Sequence, residues 1–141
     1  MDLSYLLTPF LAWLVAGSLK FLINSIKAGE LAFGLVGYGG LPSNHSAIVT
    51  SMAALIALRE GMDTPMFGVA LTLAFIVMLD ANSLRRQVGK QAAAINRLAQ
   101  GREGIEPMRE RMGHSRIEIL SGIAVGVVVA WAVDAVGRLL A

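Results

Sequence analysis

The 141-residue chain carries only two histidines, His45 and His114, and no cysteine. Without cysteine there is no disulfide framework, thiolate metal site or cysteine nucleophile. The two imidazoles are therefore the natural carriers of a proton near neutral pH, and candidates for covalent chemistry. His114 lies in "GHSRIEILSGIAVG", residues 113–126. Glu118 follows four residues later, a spacing that makes helical neighbours. A carboxylate there can accept the Nδ1–H of the imidazole and fix its tautomer, leaving Nε2 free as nucleophile or base. The plainer alternative is a polar interfacial pair that opens a helix and complements its N-terminal dipole.

His45 sits in "GGLPSNHSA", residues 39–47. Pro42 and Ser43 suit a helix start, so His45 can be read as an incidental first-turn residue. The same helix start can bind an anion through its free N–H groups, with Ser43 and Ser46 adding hydroxyl donors. A basic cluster follows in "LDANSLRRQVGKQ". Asn82, Arg86 and Lys90 recur every four residues, with Arg85 alongside. Guanidinium forks match phosphate oxygens, although such a cluster can also anchor to anionic headgroups. Asp80 comes after fourteen almost unbroken apolar residues. A carboxylate in that position needs a partner, and a basic neighbour is expected.

The elements that must position these groups are apolar. Hydrophobic residues make up 55% of the chain and charged residues 16%, with mean hydropathy +0.64. Soluble domains average about 45–50% apolar and about 25% charged. The composition therefore predicts an all-α integral membrane bundle formed by a single domain, 1–141. Apolar segments run from about residue 5 to 26, 45 to 58, 65 to 79 and 117 to 141. A crossing takes about 20 residues, so the first and last are long enough. The middle two are short and borrow polar flanks; four crossings are preferred over a re-entrant pair. The N-terminal run lacks a basic leader and cleavage site and reads as a retained helix. Residues 80–100 should extend the third helix beyond the lipid, and "GREGIEPMRERMG" should be a flexible loop.

Lysine and arginine crowd the third connection and flank the first, which predicts that both lie on the cytoplasmic side. Arg138 is a counter-signal, but Asp134 four residues earlier can pair with it. Under this topology both histidines and most of the cations share one membrane surface. Gly122 and Gly126 permit close helix approach. That stripe rotates by about 40° every four residues, so His114 and Gly126 do not share a face, and plain packing is the simpler reading of the glycines. On helix two the small residues Ser46, Thr50 and Ala57 either pack helices or line a path for a lipid tail.

Together, "GGLPSNHSA", "LDANSLRRQVGKQAAAIN" and "MGHSRIEILSGIAVG" resemble the three blocks of the divergent type-2 phosphatidic acid phosphatase family, also described as acid phosphatase/vanadium-haloperoxidase-related. The resemblance spans residues 39 to 126 in matching order. It implies a metal-independent, cofactor-free phosphohydrolase that works through a phosphohistidine. By that resemblance His114 is the nucleophile, Glu118 its orienting carboxylate, and His45 the acid that protonates the leaving group. Ser43 and the amides of Asn44 and His45 would hold phosphate oxygens. Arg85, Arg86 and Lys90 would supply positive charge, with Asp80 and Arg111 completing the substrate-binding set. The expected function is a lipid phosphate phosphatase of the bacterial inner membrane, acting on a phospholipid or a polyprenyl phosphate or diphosphate. Its partner is a membrane lipid and not nucleic acid, and small-residue faces are compatible with a homodimer. The alternatives are a non-catalytic phospholipid-binding or transport protein that keeps the phosphate pocket, and a structural membrane protein that uses its basic surface for headgroup anchoring.

Overall fold

A computed structural model describes residues 3–31, 40–102 and 104–140. Gly39, the first residue of the Gly-Gly-Leu-Pro turn, lies outside the described residues. All regular structure among them is helical: α1 Ser4–Ala28, α2 Asn44–Arg59, α3 Pro65–Leu79, a π turn Asp80–Leu84, α4 Arg85–Ala99 and α5 Arg116–Leu140.

The helix starts follow from local chemistry. Ser43 caps α2, its Oγ accepting from the Ser46 amide at 3.4 Å. Thr64 caps α3, accepting from the Phe67 amide at 3.3 Å, and Pro65 occupies the first turn, where no N–H is needed. At α5 the Glu118 amide donates to Ser115 Oγ at 3.2 Å while the Ser115 amide donates to Glu118 Oε2 at 2.9 Å. This reciprocal pair is a capping box.

Small residues face inward and large ones outward. Ala12, Ala16, Ala47 and Ala130 are fully buried, whereas Phe10, Trp13, Leu73, Phe75, Val128 and Trp131 are exposed. Such apolar faces are unsuited to water but suit lipid, where helices associate by close approach of small side chains. α2 sits centrally, packed against α1, α3 and α5. Its closest approach is to α5: a Cβ on Gly122 would run into the Ser43 carbonyl, and one on Gly126 would lie 2.6 Å from the Ala47 carbonyl. The packing role of both glycines is borne out, and Ser46 and Thr50 lie in the same contact.

Among the described residues three stretches are long and apolar enough to cross a membrane: α1, the continuous helix Pro65–Ala99, and α5 to Leu139. α2, with 16 residues, is about 24 Å long and runs among them. Length alone thus marks three of the four expected crossings.

The far end of the bundle carries an ion network. Arg59 Nε lies 3.1 Å from Asp134 Oδ1, and Arg138 Nη2 lies 2.8 Å from Asp134 Oδ2. Arg59 also donates to Ser4 Oγ at 3.2 Å, and the Tyr5 hydroxyl donates to Glu60 Oε1 at 2.6 Å. The expected Asp134–Arg138 pair forms, joined by Arg59. These contacts set α2 parallel to α5 and antiparallel to α1.

Helix three continues past Asp80, as its composition suggests, but through a π turn that nothing in "DANSL" announces. The Arg85 amide reaches back five residues to the Asp80 carbonyl. The loop after α4 is not free either. Asn96 donates from Nδ2 to the Met108 carbonyl and to Glu110 Oε1, and its Oδ1 accepts from the Met108 amide, all at 2.8 Å. Gly89 lets this strap lie against α4, because a Cβ there would strike the Glu110 carbonyl.

Candidate active site

Three elements bring the chemistry to one end of the bundle. His45 lies in the first turn of α2, His114 just before α5, and Arg85 just after the π turn. The two imidazole centroids are 6.0 Å apart with their planes inclined by 55°.

His114 is buried, at 8% exposure. Its Nδ1 lies 3.0 Å from Glu118 Oε2. The expected contact is present, though not for the expected reason. His114 is not one helical turn from Glu118, because it precedes the cap residue Ser115. The capping box folds the Glu118 side chain back over the helix start, where one oxygen serves both the Ser115 amide and the imidazole. A carboxylate on Nδ1 holds the proton there and leaves Nε2 as the basic nitrogen. Among the described residues, no side chain bonds Nε2. The backbone is pinned as well: the His114 amide donates to the Ala81 carbonyl at 2.9 Å. With the Arg85 amide turned to Asp80, the π turn leaves that carbonyl open to the His114 loop. Gly113 reaches this geometry with φ +91° and packs against Arg86, leaving no room for a side chain.

His45 is held differently. Arg85 Nη2 lies 3.2 Å from His45 Nε2. Because a guanidinium can only donate, Nε2 is the acceptor and the neutral ring carries its proton on Nδ1. Among the described residues that nitrogen is buried without a partner, as is Asn44 Oδ1. Arg85 also pairs with Asp80 at 3.6 Å, which supplies the partner expected for that carboxylate.

The remaining expected residues divide. Arg86, Arg111, His114 and Glu118 line one cavity of about 490 Å³, together with Asn82 and Arg116. Ser43 does not reach it. Its side chain is fully buried, its Oγ accepts from Ser46 Oγ at 3.1 Å, and its amide donates to the Glu118 carbonyl at 2.9 Å. Ser43 thus docks α2 on α5 instead of offering a hydroxyl to a ligand. The first-turn amides of Asn44 and His45 have no backbone acceptor among the described residues, as expected of an anion-binding helix start. Lys90 is exposed on α4 and does not line the cavity.

Three contributors escaped the sequence reading. Ser115 was legible, since Ser-x-x-Glu ahead of an apolar run is a capping-box signature. Lys20 of α1, read only as a topology marker, is half-buried and within Coulombic reach of His45 and Glu118. The Ala81 carbonyl has no sequence signal. Among the described residues no cluster of histidine and acidic side chains could hold a metal ion.

A helical membrane bundle with a carboxylate-held histidine facing a second histidine amid arginines is the class this geometry defines. Family comparison agrees: residues 1–129 match the divergent PAP2 family, and the chain belongs to it. It is 34% identical over 139 residues to the uncharacterized membrane protein YuiD of Bacillus subtilis (strain 168), covering 86% of this chain and 88% of that protein. No solved structure matches.

Proposed function

We propose that the protein is a lipid phosphate phosphatase acting through a phosphohistidine on His114. The observation that carries this reading is the held imidazole: Nδ1 on Glu118 at 3.0 Å, Nε2 unbonded among the described residues, and the second histidine 6.0 Å away. Nε2 attacks phosphorus. Arg86, Arg111 and the α2 start compensate oxyanion charge, which is the main demand of phosphoryl transfer. Arg85 exchanges His45 for a phosphate oxygen, which frees His45 Nε2 to take up a proton from solvent, deliver it to the leaving alkoxide, and then accept one from the attacking water.

α2 runs beside its parallel neighbour α5 from Glu118 to Asp134 and makes the fourth crossing. The site faces the cytoplasm of a bacterial inner membrane, where the arginines of the third connection belong. A cysteine introduced at Arg102 should be labelled from the cytoplasmic side only; labelling from outside alone reverses the orientation.

The decisive assay is release of inorganic phosphate from a panel of lipid phosphates by detergent-purified protein, with acid-labile, base-stable 32P on the wild type and none on His114→Ala. The second reading is a phospholipid-binding protein without chemistry, favoured by Arg85 occupying the His45 nitrogen that would donate a proton. It gains if His114→Ala leaves headgroup binding intact and the wild type releases no phosphate.

A further inference from the structure

The helix from Pro65 to Ala99 carries an apolar stripe that packs on nothing else in the chain. In α3 it comprises Val69, Leu73 and Ile76, each more than half exposed. In α4 it comprises Leu84, Val88, Ile95 and Leu98, also exposed, with the exposed Gln91 among them. The spacing is four then three in α3, and four, three, four, three in α4. Both follow the a/d alternation of a coiled coil. Ile76 and Leu84 are eight residues apart, one more than a heptad. The π turn takes up that residue, because the Arg85 amide reaches back five positions, and the two stripes fall in line. The inward face takes the same step: Ala74 and Gly89, one residue more than two heptads apart, are both buried. A crossing takes about 20 residues, which 65–84 already provide, so the stripe begins in lipid and continues beyond it. Lipid suits the first half, but a row of valine, isoleucine and leucine past the bilayer is unsuited to water.

We propose that this stripe is the seam of a homodimer, in which two copies pair along α3 and α4 about a twofold axis normal to the membrane. Three features select a second copy as the occupant. β-branched Val88 and Ile95 stand at the a positions, and Leu84 and Leu98 at d, which favours two parallel strands. Two copies in one bilayer share an orientation, so their α4 helices are already parallel. The charge pattern lets like meet like. Arg86, Lys90 and Arg97 fall outside the seam and its flanks, and Arg85, on the flank, is engaged by Asp80 and His45. The other flanking residues are Gln87, Ala92, Ala94 and Ala99, which neither repel an identical chain nor select an oppositely charged one. Gln91 meets its own copy at the axis, where a single polar residue fixes register. Gly89 and Asn96, which hold the strap, lie off the seam, so pairing leaves the His114 cavity open. The dimer is independent of the chemistry proposed for His114.

The chain has no cysteine, so single cysteines in the full-length protein report proximity in membranes directly. Val88→Cys, Gln91→Cys, Ile95→Cys and Leu98→Cys are oxidised with copper–phenanthroline and run on non-reducing gels. A disulfide needs Cα atoms within about 7 Å, so these four should link at least about tenfold more than Lys90→Cys and Arg97→Cys on the same helix. Within the lipid, Leu73→Cys and Ile76→Cys should link, and the equally exposed Leu71→Cys and Phe75→Cys should not. Adding Ile95→Asp to Val88→Cys places two carboxylates at the axis, and should cut the link at least about tenfold with helix content unchanged. Equal linking at Arg97, or a Val88 link that survives Ile95→Asp, overturns the seam. So does linking on α3 with none on α4, which would instead put the outer half of the stripe against lipid headgroups. No linking at any position also overturns the proposal.

Discussion

Replacing Glu118 with Gln separates what its carboxylate does for α5 from what it does for His114. Oε2 accepts from the Ser115 amide at 2.9 Å and from His114 Nδ1 at 3.0 Å. Glutamine is accepted in a capping box, so the helix start should survive. Exchanging a charged acceptor for a neutral one in two hydrogen bonds costs about 1–2 kcal/mol, a small loss of thermal stability. The imidazole loses more, because an amide can present either an acceptor or a donor to Nδ1 and no longer dictates the tautomer. Where a carboxylate behind a catalytic histidine becomes its amide, rates fall about 10⁴-fold, and a loss of that order is expected in phosphate release. Nitrogen-15 NMR of labelled histidine should show His114 with its proton on Nδ1 in the wild type and a tautomer mixture in the variant. The control is Ser115→Ala, which removes the cap, costs about 1 kcal/mol, and leaves the carboxylate–imidazole contact. If Glu118→Gln stays within about tenfold of wild type, or if Ser115→Ala is as damaging, then Glu118 serves the helix start and the orienting role is refuted.

Gly122→Leu should push α5 off α2, since the Ser43 carbonyl occupies the space of any side chain there. Overpacking of this kind costs about 1–3 kcal/mol or more, readable as a lowered midpoint in detergent melts. Gly68→Leu, where a Cβ would meet nothing within 4 Å, should melt with the wild type. At the far end, Asp134→Ala should destabilise much more than Arg138→Ala, because it removes the carboxylate that joins α5 to Arg59, whose side chain is only 15% exposed, while Arg138, at 70%, is solvated. Equal midpoints for the two would remove Arg59 from that network. Asn96→Ala releases Met108 and Glu110 from α4, and should raise protease cutting after Arg109 or Arg111 while helix content stays constant.

The element boundaries were readable because caps and breakers are local. Pro42–Ser43, Thr64–Pro65 and Ser115-x-x-Glu118 each write a helix start into three or four residues. The outward large and inward small side chains followed from the membrane reading of the composition. At the site, the meeting of His45, His114 and Arg85 was expected from topology, but the means were tertiary. Glu118 reaches His114 by folding back from the first turn of α5, and "DANSL" has no residue that distinguishes π from α winding. The resemblance places Ser43 on phosphate, whereas its side chain is fully buried. Its burial depends on how closely α5 approaches, which Gly122 permits but cannot locate. Lys20 was legible as a charge in an apolar helix, yet which neighbours it faces is set by the packing of α1 on α2.

The π turn has a further consequence for helix phase. Each residue of an α-helix advances the chain by about 100°, so the extra residue in the turn at Asp80–Leu84 rotates everything after it relative to α3. Arg85 points at His45 while Gly89 and Asn96 receive the strap because α4 starts on that shifted phase. Residues lost or gained between Leu79 and Arg85 would therefore register as rotation more than as length. Changes of one residue would turn the guanidinium away from the imidazole, while an added full turn would preserve its bearing and displace it along the axis. The site tolerates variation in what α4 is made of far better than variation in where it begins.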